Sequence, residues 1–272
     1  MSVKRTFLRL AYPFYTRIRA ATEMVRALPD PVLVYQMSKV GSSTVQETLH
    51  EAGIPSLHVH FVDAEHWEEA SNLYTENNEP LPHHFHTGRL VRLWLNQTNR
   101  QVRVVTLVRD PIARYVSGAF EVGNLKGVPT GRFEEALRVL REQFAEEDVL
   151  RYAYQWFDWE IKPVFGVDVL EHPFDREKGV GRIRRDNVDI LILTLEQLSD
   201  RVPTVLSDFV GTPLALRKSR VRKEQTYSRV KRHLTLPEQT VRRLYDTEWM
   251  RHFYSTHDIE QFVRRWSEDR SG

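Results

Sequence analysis

Short, nearly continuous apolar runs alternate along the chain with stretches in which apolar residues recur every three or four positions. The first run, Pro31 to Gln36 (PVLVYQ), predicts a core strand. It leads into a polar loop, Met37 to Ser43, and then a helical pattern (TVQETLHEAG) in which Thr44 with Glu47, or Ser43 with Gln46, offers a capping box. Gly53 is placed to end that helix in a left-handed turn. Ser56 to Phe61 (SLHVHF) predicts a second strand. After a polar stretch, Ser71 to Pro82, the run Val102 to Val108 (VRVVTLV) reads as another core strand, followed at once by a helix with Asp110 as N-cap and Pro111 in the first helical position. Further helices are predicted at Phe133 to Glu146 and Val149 to Phe165, a core strand at Asp189 to Leu195, helical spacing over Glu196 to Val210, and two C-terminal helices. Strands alternating with helices predict an α/β fold: one P-loop-like domain over 31–272, its central parallel sheet covered by helices on both faces.

Composition narrows the function classes. At 272 residues and 41% hydrophobic content, the chain can bury one sizeable core. A formal charge of +2 is too mild to point to nucleic acid. The chain has no cysteine, which excludes disulfides, thiol catalysis and Cys-ligated zinc, and the expected location is cytoplasmic. No apolar run reaches the length of a membrane span. Basic residues crowd a late segment, Arg217 to Arg232, and residues 1–30, where Phe7, Leu8, Leu10, Ala11, Phe14, Tyr15 and Ile18 alternate with Lys and Arg. That pattern predicts a basic amphipathic helix, suited to packing on the domain or to peripheral contact with an anionic membrane.

Two strand–loop–helix segments carry the chemistry. In the first, Ser38-Lys39-Val40-Gly41-Ser42-Ser43-Thr44 lies between a strand and a helix N-terminus. Backbone amides and the positive end of the helix dipole bind anions there; Gly41 permits close approach and the hydroxyls add donors. A Walker A loop places its lysine after the glycine, whereas Lys39 precedes Gly41, which disfavours an ATPase or kinase. In the second, Val108-Arg109-Asp110-Pro111-Ile112-Ala113-Arg114-Tyr115-Val116-Ser117 puts a guanidinium at a strand end and a hydroxyl two turns into the next helix, where both can reach one phosphate.

These two segments, in this order, resemble the sulfotransferases that use 3′-phosphoadenosine 5′-phosphosulfate (PAPS), and most nearly a carbohydrate branch that includes uronyl 2-O-sulfotransferases and bacterial capsular polysaccharide synthesis proteins. The resemblance rests on about a quarter of the chain. It implies sulfuryl transfer from PAPS to a carbohydrate hydroxyl, without a metal. It further implies that Lys39 stabilises the leaving group, that Val40, Gly41, Ser42, Ser43 and Thr44 hold the 5′-phosphate, and that Arg109 with Ser117 holds the 3′-phosphate.

In the uronyl branch a His-x-His element between the two motifs supplies the base; Pro82-His83-His84-Phe85-His86-Thr87-Gly88 fills that interval, implying His86 as base with His84 as its helper. Imidazole suits the task because its ordinary pKa lies near neutrality. His58 and His60 on the second strand are the competing pair, read as satisfied core or sheet-end residues, and Glu47 and Glu160 are further base candidates. Glu196 after the later strand is expected to be architectural. Arg222 and Lys223 fall where relatives close a loop over the nucleotide. Trp156 and Trp159 are expected mainly to pack the core rather than stack on a sugar. The alternatives are a nucleotide-dependent kinase and a non-catalytic glycan-binding protein that retains the fold. The oligomeric state and the acceptor are left open.

Overall fold

The computed structural model describes residues 3–121, 127–129, 131–217 and 225–267, and of 3–10 and 202 the backbone only. Six strands form one sheet in the order β2-β1-β3-β6-β5-β4: β1 (Val32–Tyr35), β2 (Ser56–Val59), β3 (Val102–Val108), β4 (Phe174–Asp175), β5 (Val180–Arg185) and β6 (Val188–Thr194). Strands β2, β1, β3 and β6 run parallel, and β5 and β4 continue the sheet antiparallel. The expectation of a wholly parallel sheet is therefore corrected at one edge. There, Asp186 in a left-handed conformation (φ 50°) and Asn187 turn β5 directly back into β6. β1, β3 and β6 read as continuous apolar runs because they are buried on both faces.

The helices are α1 (Val3–Ala27), α2 (Ser42–Glu51), α3 (Ala64–Glu76), α4 (His83–Leu95), α5 (Pro111–Glu121), α6 (Phe133–Ala145), α7 (Arg151–Trp156), α8 (Lys162–Phe165), α9 (Leu198–Arg201), α10 (Ser207–Val210), α11 (Gln225–His233), α12 (Glu238–Tyr245), α13 (Glu248–Phe253) and α14 (Thr256–Trp266). The two C-terminal helices expected from sequence are thus four. The polar stretch Ser71 to Pro82 forms the end of α3 and its connection to α4. The predicted 149–165 helix is interrupted by a π turn, Phe157–Ile161, in which the Lys162 N–H reaches back to the Phe157 carbonyl. Pro163 has no N–H to give the Trp159 carbonyl, so the regular ladder breaks there. Pro203 lies in a similar π segment, Val202–Leu206, between α9 and α10.

The local stops and starts behave as predicted where they depend on one residue. Gly53 follows α2 with φ 70°. Asp110 Oδ1 accepts hydrogen bonds from the Ile112 and Ala113 N–H groups at 3.0 and 3.3 Å, capping α5. The same carboxylate is fully buried and also accepts from Tyr245 and Trp266, each at 2.7 Å, so it ties α12 and α14 to the end of β3. In the strand order, β2 lies on one side of β1 and β3 on the other. The loops leaving β1 and β3 therefore diverge and leave a crevice beyond their carboxyl ends, the place where open α/β sheets take ligands.

Candidate functional site

The β1 loop curls its backbone by means of two left-handed residues, Lys39 (φ 70°) and Gly41 (φ 97°). A left-handed lysine is uncommon, and such turns gather successive amides into an anion-binding concavity. The positive φ favours glycine at 41, and a Cβ there would in addition lie 2.5 Å from Leu195 Cδ1, whose side chain would have to shift. It is the N-cap of α2, which starts at Ser42, so neither expected capping box forms: Ser43 and Thr44 are already inside the helix. A glycine cap offers no side-chain acceptor, and within the first turn the Thr44 N–H donates to the Gly41 carbonyl at 3.1 Å. Val40 and Ser42 are buried, Thr44 is half-buried and Ser43 is exposed. Val40 therefore offers a ligand its backbone alone.

The second segment holds this loop from below. Arg109 Nη1 donates to the Lys39 carbonyl at 2.9 Å. Arg114, which sequence reasoning did not single out, is buried on the Tyr152 ring, 4.2 Å from its centroid, and donates to the Ser38 carbonyl and hydroxyl at 3.1 and 3.2 Å. The Lys39 stem passes near Gly118, where an added Cβ would be 3.8 Å from its Cγ, and Lys39 Nζ pairs with Glu121 at 3.1 Å. Arg109 and Ser117 both meet the Tyr227 hydroxyl, contributed by α11. Burial pushes that hydroxyl's pKa up, but Ser117, Arg109 and Lys231 outweigh burial and leave it below its ordinary value. The structure thus brings Lys39, Arg109 and Ser117 into one region and adds Arg114 and Tyr227.

The histidines separate. On a helix, residues two apart point to nearly opposite sides, and His84 and His86 both lie on α4. His84 is half-buried and stands against His60 and Phe61, with ring centroids 5.1 and 6.3 Å away. This approach depends on Gly88, one turn on, where a Cβ would fall 1.9 Å from the Phe61 carbonyl oxygen. His86 is half-buried and feels Arg17, Arg89 and His83, on α1 and α4; burial first, and then these charges, lower its pKa. His60, by contrast, feels Glu121, Arg114 and Lys39. Its Nδ1 donates to the Gln36 carbonyl at 2.6 Å, which places the proton on Nδ1 and leaves Nε2 as the basic nitrogen. Burial pulls the His60 pKa down to about 4, and holds those of His58 and His84 well below the ordinary value. The signal for His60 was its place just past the end of β2, beside the strand whose loop carries Lys39.

The carboxylates named from sequence are otherwise engaged. Glu160 is fully buried; it accepts from Tyr35, from the Val62 and Asp63 N–H groups at 2.8 and 3.1 Å, and pairs with His66 Nδ1 at 2.5 Å. Glu196 accepts from the Asp110 N–H at 2.9 Å and from Tyr254 at 3.0 Å, bracing the β3 end. Glu47 is exposed on α2, and Trp156 is in the core, edge-on to Tyr35. Arg222 and Lys223 lie outside the described residues. Among the described residues, no group of three or more His, Asp or Glu side chains is arranged to hold a metal ion.

Residues 132–255, short of half the chain, match the family model described as "Putative capsular polysaccharide synthesis protein". That stretch supplies α6 to α13, β4 to β6 and Tyr227, but not the β1 loop. No curated protein and no solved structure matches the chain. Over that stretch the chain is similar to a family named for capsular polysaccharide synthesis.

Proposed function

We propose that this protein is a PAPS-dependent sulfotransferase with a P-loop-like core and a carbohydrate acceptor. The observation that carries the reading is Arg109: its guanidinium holds the Lys39 carbonyl and also meets the Ser117–Tyr227 pair. Donors for two separate phosphates thus converge on one crevice at the switch point of the sheet, and a second phosphate on the ribose distinguishes PAPS from ATP. The family description over 132–255 supports a glycan-related acceptor.

In this reading the amides from Val40 to Thr44 hold the 5′-phosphate, and Lys39 exchanges its contact with Glu121 for the oxygen that bridges phosphate and sulfuryl group. The acceptor oxygen forms a bond to sulfur as the bond from sulfur to that bridging oxygen breaks. The acceptor proton passes to a histidine, and adenosine 3′,5′-bisphosphate leaves. His60 suits this role better than His86, because its Nε2 is the basic nitrogen and the charges acting on it are those of the crevice, with His84 against it.

Thermal unfolding with added nucleotides tests the assignment. Adenosine 3′,5′-bisphosphate should raise Tm, ATP and ADP should not, and Arg109→Ala should remove the effect. Equal stabilisation by ATP would favour a kinase instead, and no stabilisation by any of the three would remove the basis of the reading.

A further inference from the structure

Helix α1 has two apolar stripes, and the fold uses only one. Thr16, Ala20, Met24 and Ala27 are buried, on the side that meets α4 and β2. At about 100° per residue, Phe14, Ile18 and Val25 point the other way. They are 68%, 66% and 72% exposed, and Tyr15 beside them is 58% exposed. A helix turned outward on a protein surface ordinarily shows water a polar face; here the outward face carries four large apolar side chains.

The charges around that stripe indicate what covers it. Arg17 flanks it on one side and Arg19 and Arg26 on the other, with Glu23 as the sole acidic residue of the helix. Glu23 is paired to Arg19 at 2.8 Å. Lys4, Arg5 and Arg9 add three further positive charges in the same helix. An apolar stripe with aromatic residues, bordered by arginines, fits the boundary between headgroups and acyl chains of an anionic bilayer. No described helix is long and apolar enough to cross a membrane, so the fit is to the surface.

We infer that α1 docks this protein on anionic lipid bilayers, with Phe14, Tyr15, Ile18 and Val25 entering the interface and Arg17, Arg19 and Arg26 contacting the headgroups. The docked helix stays folded on α4, since the inner stripe is already in use. The inference is independent of the reaction proposed for the crevice.

Co-sedimentation of the full chain with vesicles tests it. The protein should pellet with vesicles of phosphatidylcholine mixed with phosphatidylglycerol and much less with phosphatidylcholine alone, and high salt should weaken binding by screening the arginines. The double variant Ile18→Asp/Val25→Asp should lower binding at least about tenfold by placing charge in the apolar stripe. Both positions are exposed, and an unchanged circular dichroism spectrum and Tm would confirm that the fold is kept. Arg17→Ala/Arg26→Ala should lower binding to the anionic vesicles only. Failure of the wild-type chain to pellet with anionic vesicles, or undiminished binding by the double aspartate variant, would overturn the inference. So would a dimer in sedimentation velocity that the aspartates abolish without vesicle binding, which would assign the stripe to a second copy of the chain.

Discussion

Acid should destabilise this protein through its buried imidazoles, and His60 makes the effect measurable. Burial pulls its pKa from an ordinary 6.5 down to about 4. The unfolded chain therefore takes up a proton first as pH falls, and the folded state does so only near 4. The stabilisation is fully present above about pH 6.5, is lost progressively as pH falls toward 4, and declines no further below that. At about 1.4 kcal/mol for each tenfold, the whole loss is about 3 kcal/mol, of which about 2 kcal/mol has gone by pH 5. That is a substantial part of the roughly 5–15 kcal/mol that holds a domain folded. His58 and His84 act in the same direction. Urea unfolding at about pH 7.5 and about pH 5 should show the loss in the wild-type chain and a loss smaller by about 2 kcal/mol in His60→Asn, whose amide can still donate to the Gln36 carbonyl. An equal loss in the two proteins would refute the argument that this buried, neutral imidazole is the sensitive group.

Three further changes read other parts of the structure. Lys39→Ala should leave adenosine 3′,5′-bisphosphate binding largely intact in calorimetry while slowing sulfuryl transfer by about 10²–10³-fold, as loss of one charge-stabilising donor does; a comparable loss of binding would assign Lys39 to ground-state affinity. Glu160→Ala strips the shared acceptor from Tyr35, His66 and two backbone amides and should cost about 3–5 kcal/mol in urea unfolding, as breaking a buried pair does; a cost within about 1 kcal/mol would show that these groups find other partners. Gly88→Ala puts a methyl 1.9 Å from a backbone oxygen and should destabilise by about 1–3 kcal/mol or more, since α4 must lift off the chain after β2. An unchanged Tm would contradict the close approach that sets His84 against His60.

What the sequence determined by itself was local. β3 was read to its residue bounds, β1 and β6 to within a residue at each end, Gly53 and Asp110 were read as helix boundaries, and Lys39, Gly41, Arg109 and Ser117 were placed in two strand–loop–helix segments. Each signal sits in a few neighbouring residues: an apolar run, a left-handed glycine, a carboxylate one place before a proline. Asp186-Asn187 carried an equally local turn signal, and it is that turn which makes the edge of the sheet antiparallel. The tertiary structure alone decided how these pieces meet. Arg114 points at Ser38 because β1 and β3, far apart in sequence, end side by side, and Tyr227 meets Ser117 because α11 packs on α5. The His-x-His spacing could not show which histidine faces the crevice, because the same spacing puts both side chains on one face of a strand and on opposite sides of a helix. His84–His86 fell on a helix whose position is set by the contact of Gly88 with Phe61. His60, read from sequence as a satisfied core or sheet-end residue, stands among the charges of the crevice because β2 pairs in parallel with β1, so the two strands end beside each other.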